Sequence, residues 1–182
     1  MPYAIVLTFD KESSLIITQV FKRFKSKKIS PMLYEEKMKP HITLIIFNNI
    51  DIDLAKEKLK LFSIEAKSFK IQISSIGYFP SEESVLFLNP KASEELLNFQ
   101  QRVFGLFKDF EAENSPITWI PHCTLGMHIK KKNIAKAIDI IKEEIVMTSE
   151  KPFYIIGEAI SFTKFEREPP KIDWWLDYEL KE

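Results

Sequence analysis

Two spacings of apolar residues alternate along this chain and predict helices and strands in turn. Apolar residues three and four positions apart, with charged residues between them, predict amphipathic helices at 10–28, 54–62, 92–110 and 134–145. Short runs rich in strand-forming residues predict seven strands, at 3–9, 40–47, 69–76, 85–88, 119–129, 153–165 and 172–180. Asp10 is the predicted N-cap at the start of the first helix, and a predicted turn at 77–80 joins the third strand to the fourth.

The order of these elements predicts the fold class. Strand, helix, strand, helix and strand follow one another twice, and one extra strand ends the chain. This order predicts an α+β fold that is bilobal and pseudo-two-fold, with each lobe an antiparallel sheet backed by two helices. No linker or low-complexity segment separates the halves. We therefore expect a single domain over 1–182, made of two interleaved lobes at roughly 1–80 and 81–182.

The composition indicates which partners and which cellular compartment suit this chain. The 26 basic and 26 acidic residues give a net charge of zero, whereas a protein that grips a long nucleic acid normally needs a basic surplus. The 45% hydrophobic content is ample for a core, and the single Cys suits a reducing compartment. The N-terminus lacks signal-peptide features, and no apolar run approaches the ~18 residues of a membrane span. We expect a monomeric cytoplasmic protein without a membrane partner.

A five-residue motif that occurs twice carries the chemistry. Pro40-His41-Ile42-Thr43-Leu44 returns as Pro121-His122-Cys123-Thr124-Leu125, with the histidines 122 − 41 = 81 residues apart in a chain that has three. Residues i and i+2 of a strand share a face, so each histidine lies beside its threonine, about 6.6 Å along the strand. The residues between them face the core, and each proline suits the start of a strand.

Cleavage of a phosphodiester needs the groups that this motif presents. A base must take a proton from the attacking oxygen and an acid must give one to the leaving oxygen, and histidine can do either near neutral pH. The threonine hydroxyls can hold the non-bridging phosphate oxygens without a metal ion. His41 and His122 are therefore the predicted catalytic pair, and Thr43 and Thr124 the predicted phosphate-binding pair.

At these residues the chain resembles the two-histidine phosphoesterase superfamily, which includes 2′-5′ RNA ligases and cyclic phosphodiesterases. Residues 69–80, which end in Gly-Tyr-Phe-Pro, and the return strand 85–88 are similar to the hairpin between the motifs of that family. The resemblance implies an active site in a central cleft and chemistry without metal or cofactor on an RNA end or cyclic nucleotide. It implies opening of a 2′,3′-cyclic phosphate or a reversible 2′-5′ ligation, with the same four residues in the same roles.

Two further residues are predicted to line the substrate. Gly126 shares the predicted face of His122 and Thr124 and would leave room there, and Phe79 lies on a turn from which an aromatic ring can stack on a base. Members that act on RNA often carry a basic residue where this chain has Gly126-Met127. This departure favours a general phosphoesterase over an RNA ligase.

Other interpretations fit these residues less well. A zinc hydrolase needs at least three ligands, and a serine hydrolase of the Gly-x-Ser-x-Gly type lacks its motif here. A non-catalytic protein that binds a nucleotide or an RNA end in the same cleft remains an alternative. His128 is expected at the surface, Cys123 in the core, and Trp174 and Trp175 on opposite faces of the last strand.

Overall fold

The computed structural model describes residues 1–114, 116–148, 150–167 and 170–182. The strands in these ranges are β1 Tyr3–Phe9, β2 His41–Phe47, β3 Phe69–Phe79, β4 Glu83–Pro90, β5 Cys123–Lys130, β6 Phe153–Arg167 and β7 Pro170–Glu179. The α-helices are α1 Lys11–Ser26, α2 Met32–Glu35, α3 Ile52–Glu65, α4 Glu94–Leu106 and α5 Ile134–Glu144. All seven predicted strands and all four predicted helices are therefore confirmed, and the short α2 was not predicted.

Local chemistry explains where the helices begin. The side chain of Asp10 accepts from the backbone N–H groups of Glu12 and Ser13 at 3.0 and 3.3 Å, as predicted for the N-cap of α1. Asp51 and Ser93 cap α3 and α4 in the same way, by accepting from Leu54 N and Leu96 N. Each cap satisfies a backbone donor that the first turn of a helix leaves without a partner.

The described strands form one antiparallel sheet, in the order β2-β1-β6-β3-β4-β5. The long strand β6 joins the two halves, because one of its edges pairs with β3 over 153–157 and with β7 over 159–167. The other edge of β6 pairs with β1. The expected lobes therefore share β6. The boundary expected near residue 80 falls at the tip of the β3–β4 hairpin.

The helices pack across the two halves of the chain. Helix α1, from the first half, contacts α5 and β5 of the second half, and α4 of the second half contacts β2 of the first. The core beneath them is aromatic and aliphatic, with Phe21, Phe24, Phe47, Phe107 and Phe162 almost fully buried. Burial of side chains of this size stabilises the fold by about 1.5–3 kcal/mol each.

Most predicted element ends differ from the structure by a few residues, and two of these differences have a clear local cause. The strand predicted to begin at residue 119 begins at Cys123, because Pro121 has no N–H with which to join the ladder. The predicted turn at 77–80 is shorter, because Gly77 to Phe79 still pair with Phe87 to Val85 in the β3–β4 hairpin. No helix among the described residues is long and apolar enough to span a bilayer.

Candidate active site

His41 lies at the first position of β2 with its ring orientation set by the backbone. Its Nδ1 is 2.7 Å from the carbonyl oxygen of Lys39. A carbonyl can only accept, so Nδ1 carries the hydrogen and Nε2 is left as the basic nitrogen of the neutral ring. The edge of the ring also meets Trp175, with the ring centroids 5.8 Å apart.

His122 repeats this arrangement immediately before β5. Its Nδ1 is 2.8 Å from the carbonyl oxygen of Ile120, again two residues earlier in the chain. Phe79 and Phe87 both contact the ring edge-on, with centroid distances of 5.2 and 5.5 Å. The duplicated sequence motif is therefore a duplicated geometry, in which each imidazole keeps Nε2 for chemistry.

The curvature of the sheet brings the two motifs together. Strands β2 and β5 lie at opposite ends of the hydrogen-bonded order, yet they contact each other. The backbone of His41 lies close enough to Cys123, the neighbour of His122, to lower the pKa of its thiol, although burial outweighs this effect. The charge of His122 is also felt at His41, where it lowers the pKa. The structure thus brings the two predicted catalytic histidines into one site.

Burial sets the protonation of His41. The pKa of His41 is lowered from its ordinary value of 6.5, chiefly because burial disfavours the charged imidazolium. The hydrogen bond to the Lys39 carbonyl opposes this effect, and the charge of His122 adds to it. His41 is therefore mainly neutral at neutral pH, which is the state of a general base.

The two threonines face the same cavity as His41. Thr43 and Thr124 line a cavity of about 260 Å³ together with His41. Among the described residues, neither threonine hydroxyl has a hydrogen-bond partner in the protein, so both can donate to a ligand. The backbone of Thr43 is fixed by Trp119, whose Nε1 donates to the Thr43 carbonyl at 2.8 Å. Three of the four predicted residues thus line one cavity, with His122 beside His41.

A β-bulge follows the threonine in each motif. The pairing of β1 with β2 skips Leu44, and the pairing of β4 with β5 skips Leu125. An extra residue reverses the faces of the residues that follow it. As a result Ile46 and Met127, each three positions after its threonine, turn to the cavity that the threonines line.

One polar side chain holds each of the two bulged edges. Asn114 accepts from Ile46 N at 3.0 Å and donates to the Leu44 carbonyl at 3.0 Å. In the other motif, Ser30 donates to the Met127 carbonyl at 2.7 Å and accepts from Met127 N at 2.9 Å. These bonds satisfy backbone groups that an edge strand would otherwise leave without partners. They fix the two motif strands from outside the sheet.

The bulge also overturns the prediction for Gly126. A Cβ at Gly126 would lie 2.8 Å from the ring of Phe24 in α1 and 2.9 Å from Ile129. Gly126 therefore faces the core and does not share a face with His122 and Thr124. The alternation on which the prediction relied is broken at Leu125, and glycine is needed because the aromatic ring of α1 packs on its backbone.

Phe79 is placed by the structure against His122. Its ring does not line the cavity of His41; it contacts the imidazole and also stacks near Phe87, at 4.5 Å between centroids. The missing side chain of Gly77 makes room for this pair, because a Cβ there would lie 2.5 Å from the Phe87 ring. Phe79 and Phe87, with the space left by Gly77, thus form an aromatic clamp on one of the two predicted catalytic histidines.

Replacement of Gly77 by alanine is expected to disturb this clamp. The new methyl group overlaps the buried ring of Phe87 and pushes it towards His122, so we expect a loss of about 1–3 kcal/mol in the free energy of unfolding. Thermal unfolding followed by circular dichroism measures this loss. The matched control is Gly105→Ala in α4, where a Cβ meets nothing within 4 Å and a gain of about 0.5–1 kcal/mol is expected. Equal unfolding temperatures for the two variants would contradict the clamp.

Three of the four remaining candidates lie outside the site, and the fourth, Trp175, lines its cavity. Burial raises the pKa of the Cys123 thiol to about 12, so this core residue stays protonated and is not a nucleophile. His128 is exposed near the C-terminal end of β5, away from His122. Its Nδ1 lies 2.9 Å from a carboxylate oxygen of Glu83 in β4. Trp174 packs on Tyr3 and Phe162, whereas Trp175 turns to the cavity.

Several residues of the site could not be found from the sequence. The cavity also contains Arg167 and Lys171 from the β6–β7 hairpin, and Trp175 from β7. Lys39 is held between an ion pair with Asp177 and the face of Trp175. Trp175 had one signal, since two adjacent tryptophans in a strand must face opposite ways. No signal in the sequence pointed to the cations, because the curvature of the sheet decides whether they come near the histidines.

The polar groups of the site are not arranged as a cluster of metal ligands. No three or more His, Cys, Asp or Glu residues in the described part of the chain are grouped so that they could hold a metal ion. The groups that the site offers to a substrate are two imidazoles, two hydroxyls, the side chains of Arg167 and Lys171 and the surrounding apolar wall.

Comparisons with solved structures show the fold. The crystal structure of TT0787 of Thermus thermophilus has a TM-score of 0.61 at 11% identity and covers 100% of both chains. E. coli LigT in apo form has a TM-score of 0.60 at 13% identity, with coverage of 100% of this chain and 98% of that one. Kluyveromyces marxianus Usb1 has a TM-score of 0.50 at 10% identity, with coverage of 98% of each chain.

Sequence comparisons identify the family of this chain. No curated protein matches this chain in sequence. The family profile described as the 2′-5′ RNA ligase superfamily matches residues 17–152, a range that contains both motifs and strands β2 to β5. By its sequence, the chain belongs to the 2′-5′ RNA ligase superfamily of two-histidine phosphoesterases.

Proposed function

We propose that this protein is a metal-independent phosphoesterase that opens the 2′,3′-cyclic phosphate of an RNA end or a nucleotide. The observation that supports it most is the paired geometry of the motifs. Two imidazoles, each with Nδ1 bonded to a carbonyl, meet where two hydroxyls without protein partners among the described residues face one cavity. Membership of the two-histidine family supports phosphoesterase activity, and E. coli LigT has been solved in complex with 3′-AMP.

The proposed reaction divides the work between the two histidines. The neutral His41 takes a proton from water as the water oxygen bonds to phosphorus. The bond from phosphorus to one ribose oxygen breaks, and His122 donates a proton to that oxygen. Thr43 and Thr124 donate hydrogen bonds to the non-bridging oxygens, where negative charge increases in the transition state. A ribose 5′-hydroxyl that attacks phosphorus in place of water, with the 3′ oxygen as the leaving group, would instead join two RNA ends by a 2′-5′ linkage. All four groups come from one chain, so a monomer suffices.

Turnover in the presence of a chelator tests this proposal. Because hydroxyls and imidazoles handle all the charge, hydrolysis of a nucleoside 2′,3′-cyclic phosphate is expected to proceed at the same rate with and without EDTA. The rate is followed by separation of the nucleotide product. Loss of turnover in EDTA that Zn²⁺ or Mn²⁺ restores would reject the mechanism. Tight binding of the nucleotide with no turnover would favour the alternative of a non-catalytic binding protein.

The pH dependence follows from the lowered pKa of His41. A base is active only when neutral, so kcat/KM is expected to fall on the acid side as the pH drops through a value below 6.5. This acid limb reports the free enzyme and is measured as kcat/KM with subsaturating substrate. An acid limb centred above 6.5 would contradict the assignment of His41 as the base.

A further inference from the structure

The cavity beside His41 extends beyond the groups that the reaction uses. It continues along the sheet from the catalytic end to the β6–β7 hairpin, and residues of β1, β2, β6 and β7 line it. Its middle is apolar, with Val6, Phe165 and Ile172 among its walls, and its far end carries Arg167 and Lys171. A cavity of about 260 Å³ lies just below the range of pockets for small organic ligands, so it suits one ring system and its substituents.

Trp175 is held as a wall of this cavity. The pairing of β6 with β7 skips Asp173, and this bulge puts Trp175 and Ile172 on the same face. The edge of the His41 ring and the ammonium group of Lys39, 5.5 Å from the ring centroid, fix the position of the indole. A fixed, half-buried indole beside the reacting phosphate offers a surface on which a planar base can stack.

The two cations at the far end are not equivalent. Arg167 forms an ion pair with Glu113, which ties the β6–β7 hairpin to the segment beside β2. Glu166 lies opposite Lys171 across the β6–β7 pair and also lines the cavity, yet within the described ranges no carboxylate lies in salt-bridge contact with Lys171. Lys171 is four residues from Trp175, about 13 Å along the strand at most, and its long side chain can reach back over the cavity. It is thus the cation available to an anionic group of a ligand.

We propose that this cavity is a nucleotide subsite, in which the base stacks on Trp175 and the phosphate on the 5′ side of the reacting nucleotide pairs with Lys171. This inference rests on the proposed function and specifies its substrate. The preferred substrate is a nucleotide that carries a second phosphate, as an RNA end or a 5′-phosphorylated cyclic nucleotide does. A bare nucleoside cyclic phosphate lacks the group that Lys171 binds. One cation and one aromatic ring also agree with the zero net charge, because only one flanking phosphate is contacted.

Equilibrium binding measured by calorimetry tests the subsite with two probes, adenosine 3′-monophosphate and adenosine 3′,5′-bisphosphate. The wild type is expected to bind the bisphosphate about tenfold more tightly, since a charge-assisted contact to phosphate is strong. Lys171→Gln is expected to remove this difference and to leave the affinity for the monophosphate unchanged. Equal affinities of the wild type for the two probes would overturn the role of Lys171, as would a tenfold difference that survives in Lys171→Gln.

The role of Trp175 is separated from a purely structural one by a third probe. Trp175→Leu is expected to lower the affinity for both nucleotides by about 5- to 100-fold, the range for loss of base stacking, while Trp175→Phe retains most of the affinity. Inorganic phosphate has no base, so its affinity is expected to be the same in Trp175→Leu as in the wild type. If Trp175→Leu lowered the affinity for inorganic phosphate as much as that for the nucleotides, Trp175 would act only by supporting His41, and the subsite would be rejected.

The chain supplies matched controls in a second lysine–aromatic pair. Lys70 lies over the ring of Tyr154 at 4.1 Å on the exposed surface, and neither residue lines the cavity. Lys70→Gln and Tyr154→Leu are expected to bind all three probes as the wild type does. Failure of the wild type to turn over any cyclic nucleotide would count against the proposed function, whereas these binding results judge the subsite separately.

Discussion

Replacement of His41 or His122 by alanine is expected to lower kcat/KM for a nucleoside 2′,3′-cyclic phosphate by about 10²- to 10⁴-fold, the usual contribution of a positioned acid or base. Each imidazole is oriented through Nδ1 by a carbonyl, so its Nε2 has one role in the site. The two histidines are proposed to act in the same displacement at phosphorus. The double variant is therefore expected to be little slower than either single variant, because residues that act as a unit do not contribute additively.

His128 is the matched control for this experiment. It is the remaining histidine of the chain, it is exposed, and it contacts Glu83 away from the cavity. His128→Ala is expected to retain wild-type kcat/KM. A His128→Ala variant without activity beside an active His41→Ala variant would show that the duplicated motif is structural.

Removal of either threonine hydroxyl is expected to lower kcat by about 10²-fold, with a smaller effect on KM. Thr43→Val and Thr124→Val keep the shape of the side chain and lose the donor that faces the cavity. One lost donor to a developing oxyanion costs on this order, and most of the cost falls on the transition state, where the charge on the phosphate oxygens is greatest. Steady-state kinetics of each variant measure the two parameters.

Serine at the same positions provides the control. Thr43→Ser and Thr124→Ser retain the hydroxyl, so their kcat values are expected to lie close to that of the wild type. If serine and valine reduced kcat equally, the threonines would contribute packing and not hydrogen bonds to phosphate.

The elements of this fold could be predicted from the sequence because each has a strong local period. The spacing in α1 and the alternation in β3 are read within a few residues, and the cap at Asp10 needs only its neighbours. The short helix α2 has too few residues to show a period. The candidate catalytic groups could also be predicted locally, since His41 and Thr43 are two positions apart on one strand.

What the sequence did not predict depends on long-range geometry. The bulge at Leu125 arises from the pairing of β5 with β4, and it turned Gly126 away from the predicted face. The positions of Trp175 and Lys171 depend on a second bulge in β7 and on the curvature that brings β2 near β5. The residue pattern of one strand does not determine its register with the neighbouring strand, so these features appear only in the assembled sheet.

Phosphorus-31 nuclear magnetic resonance of a nucleoside 2′,3′-cyclic phosphate incubated with the protein in EDTA tests the central claim most directly. With the wild type, the cyclic-diester signal is expected to be replaced by a single phosphomonoester signal, and with the His41→Ala/His122→Ala variant the cyclic signal is expected to persist. Persistence of the cyclic signal with wild-type protein that binds the nucleotide would contradict the account, as would equal conversion by the double variant.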